Sequence, residues 1–434
     1  MPMGCSIMNV LMTNIVVANA FFPAGTQEAL QEIATQKSTE YDCAISIAVF
    51  DGHKTITAVA GATDIKTAQP VTPADPFVWG SGTKPLTGVS ILKLVEEGKL
   101  RLQDKVEPIV DPLLSKMRAN SSSQNFSSLA DLWGVASGGN VSNVTVEDLA
   151  TMTLCTPDFD TARPYGELLK DPLRAQLYAT PGVGYSPTEL LSLPWVAGHW
   201  PTHLYGYSST NFMLLGLILA AKSGAESWTD YKQGDVIPVG LRDGFQFGLT
   251  GAPKDFTRVH GYDRTSYNMP KNQTNNQDVW EVDGVFSGWS ASDIVASPTS
   301  MARLYWEIYG PSPSIAASSA KVMAMPWGFY GFATFGLSER TGQYSSYGEA
   351  WGHLGATYGY DSIILYFPKL GFTMAIASNM ENDHQTHPSD TACFAYNAVA
   401  GLFLGQKVQC EFKDDGYQGG GCYCDQFSPP VMLT

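Results

Sequence analysis

Two pairs of short β-rich runs, one near each end of the chain, constrain the fold more than any other feature. Residues 43–50 are almost wholly apolar, Asp51-Gly52 is a turn signal, and residues 55–60 read as the returning strand. Near the other end, residues 362–367 are β-rich, residues 368–371 form a turn, and residues 372–377 are a second apolar run. Helical patterns at residues 26–36 and 392–404 flank the two hairpins on the outside. The economical way to bury such runs is one antiparallel sheet built from both termini and covered by the terminal helices. The expected class is therefore α/β of the α+β type.

Between the hairpins the period changes. Leu86, Val89, Leu92 and Val95 form a helical stripe over residues 85–97, ended by Gly98. Residues 211–221 are apolar nearly all round, the pattern of a buried helix, and residues 299–308 are another candidate. Residues 111–317 thus read as an inserted helical domain with long irregular loops. Residues 24–110 and 318–405 read as a discontinuous sheet domain, and 406–434 as a Cys/Gly-rich extension. A chain of 434 residues suits this two-domain arrangement.

Charge limits the partners. Asp and Glu outnumber Lys and Arg to a formal net charge of -15, which repels a phosphate backbone and argues against nucleic acid. No run of eighteen or more apolar residues occurs, so no membrane span is expected. Residues 1–20 read as an atypical signal peptide: residues 7–17 are moderately apolar and Ala18-Asn19-Ala20 resembles a cleavage site, yet no basic residue precedes them. Sequons begin at Asn120, Asn125, Asn140, Asn143 and Asn272. With a Gly-rich C-terminal stretch carrying Cys410, Cys422 and Cys424, they point to a secreted, N-glycosylated, disulfide-bearing eukaryotic protein. Neither the cysteines nor His199, His203, His384 and His387 have the spacing of a metal site, and no cofactor is expected.

The chemistry begins where a strand-like stretch, Pro76-Phe77-Val78-Trp79, meets the first central helix. Ser81-Gly82-Thr83-Lys84 is an S-x-x-K motif, and residues three apart share a helical face, so Lys84 can reach the Ser81 hydroxyl. A serine needs a neighbour to remove its proton during attack. A lysine can do so only when neutral, and burial together with the positive end of a helix dipole favours that state. Tyr207 immediately precedes the buried helix, where its phenol, held near an amine, can act as base or relay. His353-Leu354-Gly355 offers a polar group on a strand, with Gly355 allowing close backbone approach to a ligand. No G-x-S-x-G elbow occurs, which weighs against a Ser-His-Asp hydrolase.

In this order, S-x-x-K, the tyrosine segment YSSTNFMLLG and the segment GHLGATYG resemble the serine beta-lactamase-related family. That family includes AmpC-type beta-lactamases, D,D-carboxypeptidases and family VIII esterases. The resemblance runs from about residue 28 to about residue 400 and implies a beta-lactamase/transpeptidase-like fold with the site between the two domains. It further implies an acylated Ser81, Lys84 and Tyr207 as general base, and His353 lining the cleft. The backbone N–H groups of Ser81 and Ala356 would hold the negative oxygen.

Three departures shape the expected substrate. Ser209 stands where peptidase-like members have the Asn of Y-x-N, and it offers one donor instead of two; Asn211 is the nearest replacement. Leu354 removes a hydroxyl that would greet a substrate carboxylate, and residues 152–156 replace the usual H-T-S-G segment. These changes favour an ester or lactone as small-molecule substrate. The alternatives are a D-amino-acid peptidase or beta-lactam hydrolase, an acyltransferase, or a non-catalytic binding protein of the same fold. Oligomeric state is not legible.

Overall fold

The computed structural model describes residues 22–120, 124–134, 138–154, 156–160, 171–198, 206–325, 330–338 and 348–405. The proposed leader, the C-terminal extension with its three cysteines, Cys155, His199 and His203 lie outside the described residues.

Helix α1 (Thr26–Tyr41) leads into the hairpin of β1 (Ile45–Phe50) and β2 (Thr55–Ala60). The short β3 (Phe77–Val78) precedes α2 (Lys84–Glu96). Then follow α3 (Glu107–Asn120), α4 (Leu129–Trp133), α5 (Val146–Ala150), α6 (Pro172–Ala179), α7 (Pro187–Leu191) and α8 (Ser209–Ser223). Four short strands, β4 (Phe245–Phe247), β5 (Tyr262–Asp263), β6 (Gln277–Asp278) and β7 (Ile294–Ala296), lead to α9 (Pro298–Tyr309). The chain ends in β8 (Phe335–Gly336), β9 (Trp351–Thr357), β10 (Tyr360–Phe367), β11 (Phe372–Ser378), β12 (Met380–Glu381) and α10 (Thr386–Leu404). The predicted central helix at 85–97 is α2, the all-round apolar one is α8, and 299–308 falls inside α9.

Both termini do build one sheet, in the order β2-β1-β11-β10-β9-β8. Ile47 pairs with Ala58 on one side and Ile376 on the other, so the N-terminal hairpin is stitched to the C-terminal one. Every residue of β1, β10 and β11 is buried, which explains runs with no polar alternation. On one face Phe367 stacks on Tyr396 and Phe372 on Phe403, both from α10. From β11, Thr373 Oγ1 donates to the Ala302 carbonyl of α9 at 2.8 Å, placing that helix on the opposite face.

Two features differ from the helical insertion expected from sequence. Residues 111–317 also carry β4 to β7, each only two or three residues long. And β3, which leads into the S-x-x-K motif, pairs with β7 in a separate small sheet, β3-β7-β4. Strands this short show no readable alternation, so only their pairing reveals them.

The arrangement sets up a site at the edge of the main sheet. β8 covers only Trp351 and Gly352 of β9. Among the described residues, no strand flanks the β8 side of residues 353–357. The turn that carries Ser81 packs beside that stretch.

Candidate active site

Ser81 sits in a single 3₁₀ turn, Gly80–Thr83, that runs straight into α2. Two anchors fix it. Trp79 is fully buried and its Nε1 donates to the Ala296 carbonyl of β7 at 2.8 Å. Tyr305 of α9 donates its hydroxyl to the Gly82 carbonyl at 3.0 Å. Gly80 has φ +51, and a Cβ there would overlap the backbone of Ala356. The β9 backbone therefore lies directly against the turn that carries Ser81. The close approach that Gly355 allows is to that same turn: its Cβ would collide with the Trp79 carbonyl and would lie 3.2 Å from the Gly82 nitrogen.

Lys84, first residue of α2, is fully buried. Its Nζ lies 2.7 Å from Ser81 Oγ, 3.2 Å from Ser209 Oγ and 3.2 Å from the Ala291 carbonyl. These three acceptors match the three protons of an ammonium. Burial lowers the Lys84 pKa from 10.5 to about 8, against the opposing pull of the Asp160 and Asp158 carboxylates. On that value roughly one Lys84 in ten is neutral at pH 7. When the proton leaves, the Ala291 carbonyl can only accept, so an N–H must stay there and the lone pair turns toward a hydroxyl.

Ser209 is the first residue of α8; its N–H donates to Asp158 Oδ1 at 3.0 Å while its hydroxyl faces Lys84. Asn211, one half-turn on, points elsewhere. It is fully buried, its Nδ2 donates to the Leu154 carbonyl at 2.7 Å, and its Oδ1 accepts from Thr156 at 2.5 Å. It ties Leu149, Leu154 and Thr156 to α8, and its hydrogen bonds go to these residues rather than to Lys84 or Ser81. Tyr207 presents its ring to Lys84, with Nζ 5.0 Å from the centroid, a distance at which an ammonium gains from the π face. The ring itself is stacked on Phe335 at 5.5 Å.

His353 is fully buried beside Tyr207, Tyr330 and Phe335. Its Nδ1 is bonded to the Leu354 carbonyl, which can only accept, so Nδ1 carries the hydrogen. Nε2 then accepts from the Tyr330 hydroxyl at 3.2 Å. Burial, with the nearby Lys84 charge, holds the imidazole pKa well below its usual value, so the ring is neutral. Leu354 is packed into the hydrophobic core. Ala356, by contrast, is part-exposed and is where the open edge of β9 meets solvent.

Sequence reading missed Asp158 and Ala291, both in contact with this group. A backbone carbonyl carries no signal in a sequence. Asp158 had only a weak one, an acidic residue after Pro157 with a second, Asp160, two residues on.

A buried lysine on a serine hydroxyl, beside an open strand edge, defines a class: serine enzymes of the acyl-enzyme type, in which the amine accepts the nucleophile's proton. A family model described as Beta-lactamase matches residues 42–392, and the chain belongs to that family of serine hydrolases. Among solved structures, it resembles the D-amino acid amidase of Ochrobactrum anthropi SV3 in complex with D-phenylalanine, at 17% identity and TM-score 0.63, covering 88% of this chain and 99% of that one. A D-stereospecific amidohydrolase from Streptomyces sp. matches at 18% identity and TM-score 0.59, covering 88% and 99%. The octameric penicillin-binding protein homologue of Pyrococcus abyssi matches at 21% and TM-score 0.59, covering 88% and 78%. These likenesses bear out the beta-lactamase/transpeptidase-like fold. Among the described residues no helix is long and apolar enough to cross a membrane, and no group of His, Cys, Asp or Glu could hold a metal ion.

Proposed function

We propose that Ser81 is acylated by an ester or lactone, with Lys84 as its base and Tyr207 as a proton relay. The observation that carries this reading is the 2.7 Å contact between the buried Lys84 amine and Ser81 Oγ. As Ser81 Oγ bonds to the carbonyl carbon, its proton passes to neutral Lys84 and the carbonyl oxygen becomes negative. That oxygen is held by the N–H groups of Ser81 and Ala356. The tetrahedral species expels the alkoxide, which takes the proton back through Lys84 and Tyr207. Water then repeats the sequence on the acyl-enzyme and frees Ser81. His353, neutral and hydrogen-bonded at both nitrogens, shapes the cleft and is no base in this scheme.

Ser209 supports the ester preference, because it supplies one hydroxyl, already in contact with Lys84, where an Asn would offer an amide. A second reading, an amide of an amino acid, is favoured by the similarity to a D-amino acid amidase and a D-stereospecific amidohydrolase. Secretion with N-glycosylation is supported by all five sequon asparagines, Asn120, Asn125, Asn140, Asn143 and Asn272, being exposed. A disulfide role is proposed for the C-terminal cysteines, whereas Cys43 is a buried free thiol.

The test is labelling with a fluorophosphonate together with turnover of short-chain p-nitrophenyl esters, a chromogenic cephalosporin and D-amino-acid amides. Ester turnover that disappears in Ser81→Ala is the expected result. Amide turnover exceeding ester turnover would favour the second reading, and no Ser81-dependent labelling or turnover would overturn both.

A further inference from the structure

Arg174 stands on α6, far in sequence from the nucleophile, and no step above uses it. It is only 4% exposed, yet it carries the densest ionic cluster among the described residues. Its guanidinium forks onto Glu381, with Nη1 2.8 Å from Oε2 and Nη2 2.8 Å from Oε1. Nη1 also lies 2.6 Å from Asp263 Oδ2, and Nε 3.1 Å from Asp171 Oδ2. Asp171 in turn caps α6 by accepting the Arg174 N–H at 2.8 Å. The cluster reaches the β9–β10 turn in three ways.

First, Glu381 Oε2 accepts the N–H of Gly359 at 2.9 Å. Gly359 lies in the tight turn between β9 and β10. Second, the ring of Tyr358, its neighbour in that turn, lies against the guanidinium at 4.8 Å. Third, the turn is walled in. Gly359 has φ +82, a Cβ on it would come within 2.6 Å of Val279 and 2.8 Å of the Gly261 backbone, and its carbonyl accepts the Tyr262 N–H at 3.0 Å. The turn begins two residues after Ala356. Since β8 does not flank residues 353–357, that stretch is held by β10, by the turn, by the Gly80–Thr83 segment packed against Gly355 and Ala356, and by the Thr357 hydroxyl donating to the Val285 carbonyl at 3.1 Å.

We propose that Arg174 is a positioning residue: through Glu381 and Tyr358 it fixes the β9–β10 turn and thereby aims the Ala356 N–H at the acyl carbonyl. This rests on the acyl-enzyme reading for the part played by Ala356. A guanidinium suits the task because its planar fork holds Glu381 with two bonds while reaching Asp263 and Asp171 at the same time. A lysine would be a single point of charge and could not keep all three carboxylates and the Tyr358 ring in place.

The test compares Arg174→Lys with Tyr178→Phe in the full chain, well below each melting temperature. Tyr178 donates to Asp263 at 2.5 Å and accepts from Arg174 Nη1 at 3.4 Å, but it has no hydrogen bond to Glu381 or Gly359, so its loss perturbs the cluster while leaving the link to the turn in place. Arg174→Lys is expected to lower kcat on a p-nitrophenyl ester roughly tenfold or more, by partial loss of an oxyanion donor, with KM changed less than about twofold. Hydrogen exchange of a peptide spanning residues 351–361 should accelerate in the same variant. Tyr178→Phe is expected to lower Tm while leaving kcat and that exchange unchanged. If Arg174→Lys does not fold, Glu381→Gln, which keeps the shape and loses the ion pair, carries the same measurements. Unchanged kcat or unchanged exchange in a folded Arg174 or Glu381 variant would overturn the proposal, as would an equal kcat loss in Tyr178→Phe. If wild-type protein shows no Ser81-dependent turnover, the acyl-enzyme reading fails, and the exchange comparison alone decides on Arg174.

Discussion

Replacing Lys84 by Met separates what this side chain does for chemistry from what it does to stability. The wild-type amine has a pKa of about 8 in the folded state, against 10.5 when solvated. The difference corresponds to about 3 kcal/mol by which burial disfavours the ammonium in the folded state. The sign follows from which state binds the proton more tightly. Below pH 8 both states hold it, and the folded state carries the whole penalty. Between pH 8 and 10.5 the folded amine is neutral while the unfolded one still binds its proton, so the penalty fades as pH rises. Integrated from pH 7 to 9.5, wild type gains about 2 kcal/mol of stability from this one group. Lys84→Met has no such titration. At pH 7 it also leaves Ser81 Oγ, Ser209 Oγ and the Ala291 carbonyl without their partner, at about 1 kcal/mol each, which offsets most of the relieved penalty. The two proteins should therefore be close in stability at pH 7, with wild type ahead by about 2 kcal/mol at pH 9.5. Urea melts of both across that range measure the difference, in which titrations common to both cancel. The same proton governs catalysis, so kcat/KM of wild type should rise with an apparent pKa near 8. Parallel stability curves, or an activity limb near 10.5, would refute a buried, depressed Lys84.

Other outcomes follow from the same geometry. Ser81→Ala should abolish fluorophosphonate labelling and ester turnover while leaving Tm within about 2 °C, since Ser81 is part-exposed. Gly355→Ala places a methyl group on the Trp79 carbonyl; β9 must shift away from Ser81, and kcat/KM should fall by about 10²-fold or more in a stopped-flow ester assay. Ser209→Asn should raise amide relative to ester turnover, and an unchanged ratio would show that this position does not select the leaving group. Activity should show no limb near pH 6.5 from His353, because its buried ring stays neutral through that range.

How much of this was legible follows from what a linear pattern can carry. The main sheet was readable because β1, β10 and β11 are buried on both faces, and such strands appear as unbroken apolar runs next to turn residues. α8 was readable for the same reason, being buried from Ser209 to Ala220. The small sheets were not, since a strand of two or three residues has no period. S-x-x-K was legible because Ser81 and Lys84 are neighbours on one turn, so their contact is local. The rest of the Lys84 environment is not local: Ser209 and Ala291 arrive from positions 125 and 207 residues away.

That division matters for function. The proposed nucleophile and its proposed base are a local device that the sequence can specify by itself, but a lysine so placed would stay an ammonium if it were solvated. Its pKa is set by burial among α8, the segment around Ala291 and the Asp158–Asp160 stretch, and those meet only in three dimensions. The same holds for the proposed oxyanion side. Gly80 and Gly355 mark two backbones in contact, yet each glycine alone could be an ordinary turn or bulge. Taken together they show one interlocked joint: Gly80 leaves room for Ala356, and Gly355 leaves room for Trp79. A side chain at either position forces the Ser81 turn and β9 apart. The joint therefore couples the placement of Ser81 to that of Ala356, and the ionic cluster at Arg174 holds the turn at the end of that strand through the Gly359 N–H. A substitution in that cluster and one at Gly355 should consequently be non-additive in kcat, because both act through the position of one N–H group. Additive losses in the double variant would mean that the turn and the joint hold β9 independently.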